Sequence, residues 1–408
     1  MSRASVVIVG GGFAGLACAN ALNAERFAVT LVDRKANFEF LPNIHELLSG
    51  VKKPAQLRLP LGSNLRAAGH RFVRGEVSGI TPETRQVRIG QDKALTADYL
   101  VVALGSADAD FGVKGVKQHS LGFKSVDQCQ AIQRRLRSMT STQNAGGKGQ
   151  RIVIIGGGLE GLEGLGEILR RYRHTPLHLS IVEARNALLP AGPGAVQKHL
   201  AAHCREWRVE CITGDAVARI TAKTVHLGSG RKLRSDLTIW TGGPAPPALL
   251  AESGLAEPQH WAPVDDTLAH VSYPGIFIAG DAAALQQPIS KQAYHALDMG
   301  RCIAGNIRRL VDGKAPRRYR PVNKPTLLAF GDLDSVLITG KVSFAGPPLA
   351  AAKEAVFAAV MTQLDQRSPR QKIDAAIGRG RQATQQLLWP TLCNWRDLKQ
   401  QAKVQKIS

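Results

Sequence analysis

The sequence has no paired cysteine motif and no long apolar run. Its six cysteines lack CxxC or CxxxxC spacing; they are Cys18, Cys129, Cys204, Cys211, Cys302 and Cys393. Scattered thiols indicate reduced, mostly structural residues and disfavour enzymes of thiol–disulfide exchange. No run of 18 apolar residues occurs, so we expect no membrane-spanning helix. The first apolar run begins at Val6, so we expect no cleaved signal peptide.

Acidic residues are scarce relative to basic ones. Lys and Arg number 53 against 32 Asp and Glu in 408 residues, which gives a net charge of +21. This excess predicts an anionic partner: lipid headgroups, nucleic acid or small anionic ligands. Solubility through self-repulsion is the alternative, and charge alone does not choose between them.

The start of the chain has the pattern of a dinucleotide-binding unit. A β-branched run at Val6–Val9 is followed by three glycines in G-x-G-x-x-G spacing, a helical pattern and a second apolar run at Ala28–Val32. The glycines are Gly10, Gly12 and Gly15. They allow a tight turn, close approach of a pyrophosphate and close helix–strand packing, and the carboxylate of Asp33 is placed to accept from ribose hydroxyls. We therefore predict a dinucleotide site.

The same pattern returns 146 residues later. Arg151–Ile155 predicts a strand, a helix follows from Leu159 to about Leu169, and Leu177–Val182 predicts a strand that ends at Glu183. The glycines of this copy are Gly156, Gly158 and Gly161. Glu183 is at the spacing of a second ribose-binding acid, so two copies in one chain predict two bound dinucleotides.

Other segments predict strands and helices around these two units. We expect strands at 72–77, 86–89, 98–106, 236–243 and 276–282, helices at 126–139 and from Pro288 to about Leu310, and a turn or linker at 145–149. The predicted fold is α/β with two Rossmann-like domains. Residues 1–115 with 255–340 form the first, and residues 116–254 the second.

The last segment, 341–408, is basic and amphipathic. Eleven Lys or Arg against four Asp or Glu give it a net charge of +7. One apolar stripe runs from Val356 to Leu364, and a second from Leu387 to Trp395 contains two tryptophans. This pattern is typical of interfacial membrane attachment. The alternative is packing on the protein body or on a second subunit of a homodimer.

These motifs resemble those of the two-dinucleotide flavoprotein reductases, over about residues 5 to 340. The chain looks most like type II NADH dehydrogenases and the related ferroptosis-suppressor-type quinone reductases. The resemblance is carried by Gly10–Gly15, Asp33, Phe38–Gly50, Gly156–Glu163, Glu183, Gly280-Asp281 and Lys291-Gln292-Ala293-Tyr294-His295-Ala296. Tyr294 and Asp298 stand where ordinary type II dehydrogenases have other residues, so the quinone pocket departs from their pattern. Leu104 replaces a threonine of many relatives.

The resemblance implies FAD in the first unit, NADH or NADPH in the second, a quinone as electron acceptor and no metal. It implies that Glu163 lies near the nicotinamide, that Lys291 adds charge near the flavin, and that Tyr294 and His295 donate to a quinone oxygen. For each of these an ordinary helix or core role is the alternative. The remaining implied cofactor-binding residues are Phe13, Ala14, Arg34, Pro42, Val77, Ala103, Gly105, Gly242, Gly280 and Asp281.

The sequence does not decide between NADH and NADPH, and it leaves several other functions as alternatives. Glu183 favours NADH because a carboxylate repels a 2′-phosphate, whereas Arg185 would favour NADPH. Sulfide:quinone oxidoreductase needs a cysteine pair at the flavin, and Cys129 and Cys302 form no obvious pair. Ferredoxin or rubredoxin reductase is a further enzyme alternative. A nucleic-acid-binding flavoprotein would use the basic residues Arg308, Arg309, Arg317, Arg318 and Arg320. We expect a cytoplasmic protein, peripheral on the inner face of the cell membrane.

Overall fold

The computed structural model describes residues 3–141, 149–340, 342–367 and 403–407. Its described α-helices, in chain order, are α1 Phe13–Ala21, α2 Glu46–Ser49, α3 Leu61–Ala67, α4 Val116–His119, α5 Val126–Thr140, α6 Leu159–Tyr172, α7 Gly194–Glu206, α8 Ala248–Glu252, α9 Ala293–Val311 and α10 Leu349–Leu364. None of these helices is both long and apolar enough to cross a membrane.

The described strands, in chain order, are β1 Ala4–Val9, β2 Phe27–Asp33, β3 Asn37–Glu39, β4 Arg58–Pro60, β5 Arg71–Arg74, β6 Val77–Thr81, β7 Gln86–Ile89, β8 Lys93–Thr96, β9 Tyr99–Val102, β10 Ala107–Asp108, β11 Leu121–Gly122, β12 Gln150–Ile155, β13 Leu177–Glu183, β14 Glu210–Thr213, β15 Val217–Thr221, β16 Thr224–Leu227, β17 Lys232–Arg234, β18 Leu237–Trp240, β19 Pro244–Ala245, β20 Ala262–Pro263, β21 Ile276–Ile278, β22 Ala283–Ala284, β23 Thr326–Phe330, β24 Asp334–Thr339, β25 Val342–Ala345 and β26 Gln405–Ile407.

Two parallel sheets of the same design form the centre of the molecule. The first has the order β21-β9-β1-β2-β5 and the second β11-β18-β12-β13-β14. All their strand pairs are parallel, and Ile8 pairs with both Leu31 and Val101. The inner strands are buried on both faces, as apolar β-branched runs in parallel sheets are. The predicted α/β fold with two Rossmann-like cores is confirmed.

Several bounds of the sequence prediction are wrong. The strands expected at 98–106, 236–243 and 276–282 end earlier, at Val102, Trp240 and Ile278. The expected strand at 72–77 is two strands, because the chain breaks at Gly75 and Glu76. β5 joins the first parallel sheet, and β6 begins the antiparallel sheet β6-β7-β8. The long helix expected from Pro288 begins at Ala293, because Gln292 has an extended backbone with φ −126° and ψ 147°.

The C-terminal part packs on this core. Strands β23-β24-β25-β26 form an antiparallel sheet that continues across residue 340, the expected end of the first domain. Helix α10 contains the first apolar stripe, and Phe357, Met361 and Leu364 are buried in the core. Asn20 and Asn64 donate to the carbonyl oxygen of Leu364 at 2.9 and 3.0 Å. This stripe therefore contacts protein, not lipid. The stripe at Leu387–Trp395 and most of the 145–149 linker lie outside the described residues.

Candidate functional site

The first glycine-rich loop joins β1 to α1 and leaves one face open. Gly10 has φ +104°, and a Cβ there would lie 2.3 Å from the carbonyl oxygen of Ala103. A Cβ on Gly15 would lie 1.9 Å from the carbonyl oxygen of Gly10. A Cβ on Gly12, by contrast, would meet no atom within 4 Å. Gly10 and Gly15 are thus required for packing. Gly12 instead borders space at the N-terminus of α1, where a pyrophosphate fits.

The second loop repeats this geometry between β12 and α6. Gly156 has φ +105°, and its Cβ would lie 2.3 Å from the carbonyl oxygen of Thr241. A Cβ on Gly161 would lie 1.9 Å from the carbonyl oxygen of Gly156, and one on Gly158 would meet nothing within 4 Å. The residues of both loops therefore fit two dinucleotides.

A carboxylate stands beside each loop, held by backbone amides. Asp33 accepts from the N–H of Gly11 at 2.6 Å and from that of Lys35 at 2.7 Å. Glu183 accepts from the N–H of Gly157 at 2.8 Å and from that of Arg185 at 2.9 Å. Each oxygen keeps a free lone-pair direction for a ribose hydroxyl. The side chains of Arg34 and Arg185 are exposed.

The residues predicted around the first loop come from several elements. Ala103 follows β9 and contacts Gly10, and Gly105 has φ +67° with no neighbour in its Cβ position. Ser106 donates to the Asp281 carboxylate at 3.0 Å. Gly280 lies between α1 and α9: its Cβ position is 3.6 Å from Ala14 and 3.5 Å from Ala296. These contacts bring the β9 and β21 ends to the first loop, as expected for parallel strands.

Lys291 and His295 line a small cavity beside Asp281. The cavity has a volume of about 220 Å³ and is also bordered by Trp261, Gly280 and Met299. The Lys291 Nζ donates to the carbonyl oxygen of Asp281 at 2.5 Å and lies 3.5 Å from the centre of the Trp261 ring. Removal of its ammonium from water lowers the pKa of Lys291, and the Asp281 charge opposes this.

His295 and Tyr294 occupy different surroundings. His295 is buried, with its Nδ1 3.5 Å from the hydroxyl of Tyr319. Burial lowers the pKa of His295, and Lys324 adds to this effect. Tyr294 is half-buried and is not among the residues that line the cavity. The structure thus brings Lys291 and His295 together and leaves Tyr294 to one side.

The remaining predicted residues belong to separate elements. Phe13, the first residue of α1, packs edge-on against Phe38 and Phe40, with centroid distances of 4.9 and 5.3 Å. Pro42 follows in a short 3₁₀ turn and is half-buried. Val77 begins β6, and Gly242 follows β18 with a Cβ position 2.7 Å from the Trp240 ring.

Glu163 is buried in an ion cluster that the sequence did not predict. The cluster joins α2, α6 and α10 and consists of His45, Lys52, Glu163, Glu167, Lys353 and Glu354. Lys353 donates to Glu163 through Nζ, and the N–H of Ala329 donates to the same carboxylate at 3.1 Å. His45 Nδ1 lies 3.4 Å from Glu163, and Lys52 donates to Glu354 at 2.6 Å. An exposed position for Glu163 is therefore ruled out.

Burial controls the pKa values in this ion cluster. It raises the pKa of Glu163, an effect opposed by Lys353, and raises that of Glu167 to about 7, opposed by Arg170. Burial and the charge of Lys353 hold the pKa of His45 well below its usual range, so this imidazole is neutral at pH 7. The signal that sequence reasoning missed is the charged pair Lys353-Glu354 within an apolar helix.

Glu160 is a second acid that the sequence did not single out. It lies one turn before Glu163 in α6 and accepts a hydrogen bond from the Nζ of Lys124. Burial raises its pKa, the Lys124 charge lowers it, and Asp108 and Asp281 raise it further.

The described cysteines form no disulfide. Cys18, Cys129, Cys204, Cys211 and Cys302 are free, and burial raises the pKa of the Cys129 and Cys302 thiols. These two thiols lie on separate helices, α5 and α9. Cys129 and Cys302 therefore form no pair, whereas the thiols of Cys204 in α7 and Cys211 in β14 are hydrogen-bonded to each other.

Known proteins of similar sequence include quinone reductases. A family model described as pyridine nucleotide-disulphide oxidoreductase matches residues 4–300. The type II NADH:quinone oxidoreductase of Staphylococcus aureus (strain MSSA476) is 23% identical over 379 residues, covering 87% of this chain and 94% of the relative. The protein of the same name from strain NCTC 8325 / PS 47 is 24% identical, with coverages of 86% and 92%.

Solved structures share the fold. NDH2 from Plasmodium falciparum in complex with NADH has a TM-score of 0.82 at 15% identity, covering 95% of this chain and 99% of that one. The sulfide:quinone oxidoreductase of the bacterium Aquifex aeolicus has a TM-score of 0.77 at 20% identity, with coverages of 90% and 92%. The architecture is thus that of two-dinucleotide reductases.

Proposed function

The chain belongs to the pyridine nucleotide-disulphide oxidoreductase family, and we propose that it is an FAD-dependent NAD(P)H:quinone oxidoreductase. The observation that supports this proposal most strongly is that the chain has two glycine-rich loops, each with free space at the N-terminus of its helix. Gly12 and Gly158 each border free space, and each has a backbone-held carboxylate beside it. The names of the Staphylococcus aureus relatives support the quinone as acceptor.

Residues 1–115 with 255–340 would hold FAD. Amides of the first loop would bind its pyrophosphate, Asp33 a ribose, and Asp281 a polar group of the flavin side chain. When bound, FAD supplies the redox centre that accepts a hydride from the nicotinamide and passes electrons to the quinone. Lys291, held beside Asp281 and Trp261, would stabilise negative charge there.

Residues 116–254 would hold the nicotinamide donor. Glu183 would accept from the ribose hydroxyls, and its charge would disfavour the 2′-phosphate of NADPH. We therefore propose NADH as the preferred donor. Glu163 would act as a positioning residue: its carboxylate is fixed by Lys353 and Ala329 in the second turn of α6, the helix that follows Gly158. His295, which lines the cavity with Lys291, is a better candidate donor to the quinone than Tyr294.

The test is anaerobic reduction of the purified yellow protein. NADH should bleach the flavin absorbance faster than NADPH, and a water-soluble quinone should restore it. Sulfide as donor and ferredoxin as acceptor serve as the comparison arms. Purified protein without flavin, or turnover only with sulfide or only with ferredoxin, would contradict the proposal.

Peripheral attachment to the inner face of the cell membrane is a further part of the proposal. It is supported by the charge of +21, by the stripe at Leu387–Trp395 and by the lipophilic acceptor. The protein should cosediment with anionic vesicles, release with salt, and not bind neutral vesicles. Equal binding to both vesicle types, or tight binding to duplex DNA instead, would contradict it. The protein's mass in solution would test the proposed homodimer.

A further inference from the structure

Three side chains with metal-ligating atoms converge outside both dinucleotide sites. His199 and His203 lie one turn apart on α7, and Asp334 begins β24. His199 Nε2 lies 2.6 Å and His203 Nε2 3.2 Å from the same oxygen, Asp334 Oδ2. One ligand atom from each of the three lies within 4.8 Å of the other two. Ligands of one zinc ion lie roughly 3–4 Å apart, so only small side-chain rotations are needed.

Local structure explains why these atoms converge. The i, i+4 spacing places both imidazoles on one face of α7, a spacing that helices use for zinc. Asp334 Oδ1 accepts from the N–H of Ser335 at 2.7 Å. This bond fixes the buried carboxylate so that Oδ2 faces both histidines. His203 Nδ1 lies 3.6 Å from Glu206, which is placed as an outer carboxylate behind a ligating imidazole.

An open cavity gives access to the cluster. Its volume is about 640 Å³, and its wall includes all three side chains together with Arg173, Asp332 and Lys403. The nearby carboxylate of Asp332 is occupied by Arg173, through hydrogen bonds of 2.9 and 2.8 Å. The cluster therefore offers three protein ligands and an open fourth position.

We propose that His199, His203 and Asp334 bind a divalent transition metal, with Zn²⁺ the best match. Two imidazole nitrogens and one carboxylate oxygen suit Zn²⁺, whereas Ca²⁺ and Mg²⁺ prefer all-oxygen sites. The metal joins α7, which connects β13 to β14 of the second parallel sheet, to the C-terminal antiparallel sheet. The sequence analysis named no metal site, and this proposal does not depend on the proposed reductase activity.

The test measures Zn²⁺ binding to the FAD-loaded full chain by titration calorimetry and by metal analysis after desalting. The wild type should bind one equivalent. His199→Ala, His203→Ala and Asp334→Asn should each weaken binding by more than about 100-fold, since loss of outer partners alone costs about 10- to 100-fold. Zn²⁺ should also raise the melting temperature of the wild type but not of these variants.

Two variants serve as matched controls. His260→Ala removes an exposed imidazole elsewhere, and Cys211→Ser removes an exposed thiol that offers Zn²⁺ a different ligand. Both should bind Zn²⁺ like the wild type. Asp334→Asn keeps the size of the side chain, so it tests the site even if a histidine variant fails to fold. The proposal is overturned if the wild type binds no Zn²⁺, if Asp334→Asn binds it equally well, or if Cys211→Ser abolishes binding.

Discussion

Lys353 and Glu163, 190 residues apart in the sequence, form a buried ion pair that joins α10 to α6. The pair fixes a residue of the C-terminal segment to α6, the helix that follows the second glycine-rich loop. The C-terminal segment is therefore part of the structure that supports α6, and substitution of Lys353 tests how much this support contributes to stability.

Lys353→Met should destabilise the protein strongly. The change leaves Glu163 buried without its cation, which typically costs about 3–5 kcal/mol. The double variant Glu163→Gln/Lys353→Met should recover much of this loss. Urea unfolding of the FAD-loaded protein measures both. Lys117→Met, which removes an exposed ion pair, is the control, and an equal loss in the control and in Lys353→Met would contradict the prediction.

Glu167→Gln should stabilise the protein, but only away from acidic pH. Burial raises the pKa of Glu167 to about 7 from an ordinary value near 4.5. As the pH rises between these values, Glu167 ionises in the unfolded chain but stays protonated in the folded protein. The free energy of unfolding therefore falls by up to about 3 kcal/mol. The variant's gain in melting temperature should be largest above pH 7 and vanish below about pH 4.5. A gain independent of pH, or one shared by exposed Glu206→Gln, would refute this.

Gly12→Ala should fold but lose flavin. The added methyl group meets no protein atom within 4 Å and projects into the space assigned to the pyrophosphate. Gly15→Ala should instead destabilise the fold, because its methyl group would lie 1.9 Å from a carbonyl oxygen. Flavin content per chain and the melting temperature of the flavin-free protein distinguish the two. Full flavin content in Gly12→Ala would show that the pyrophosphate lies elsewhere.

Gly158→Ala should keep its flavin and lose affinity for NADH. The position is the counterpart of Gly12 in the second loop, and its methyl group is equally free of protein contacts. We expect the KM for NADH to rise at least about tenfold, or about 1.4 kcal/mol. Steady-state kinetics and flavin content measure the two effects. Loss of flavin with unchanged KM would reverse the assignment of the loops.

Glu183→Gln should shift the donor preference toward NADPH. Removing the charge removes its repulsion of the 2′-phosphate, and exposed Arg185 then favours that phosphate. The ratio of kcat/KM for NADPH to that for NADH should rise about tenfold. Adding Arg185→Ala should cancel the gain. An unchanged ratio in Glu183→Gln would mean that this carboxylate does not face the ribose.

Local rules explain what the sequence predicted. Each glycine-rich unit occupies about thirty consecutive residues, and its strand, turn and helix follow from spacing alone. The carboxylates Asp33 and Glu183 were found by the same spacing. Their observed backbone hydrogen bonds agree with it.

Distant contacts explain what the sequence missed. His203 and Asp334 are 131 residues apart, and Lys353 contacts His45 across 308 residues. Sequence spacing therefore does not predict that these residues meet. Strand β26 pairs with β25 across a long intervening segment. The start of α9 differs from the prediction because Gln292 has an extended backbone and the preceding Lys291 bonds to the carbonyl oxygen of Asp281, a contact that the local pattern does not show.

The attachment of the chain at Leu364 and again at β26 has a further consequence. Asn20 and Asn64 hold the carbonyl oxygen of Leu364, and β26 pairs with β25 at the edge of the C-terminal sheet. The covalent chain therefore keeps β26 at a high effective concentration beside its partner strand. A single cut between Leu364 and β26 would make this pairing intermolecular, so that strand β26 would be released on dilution.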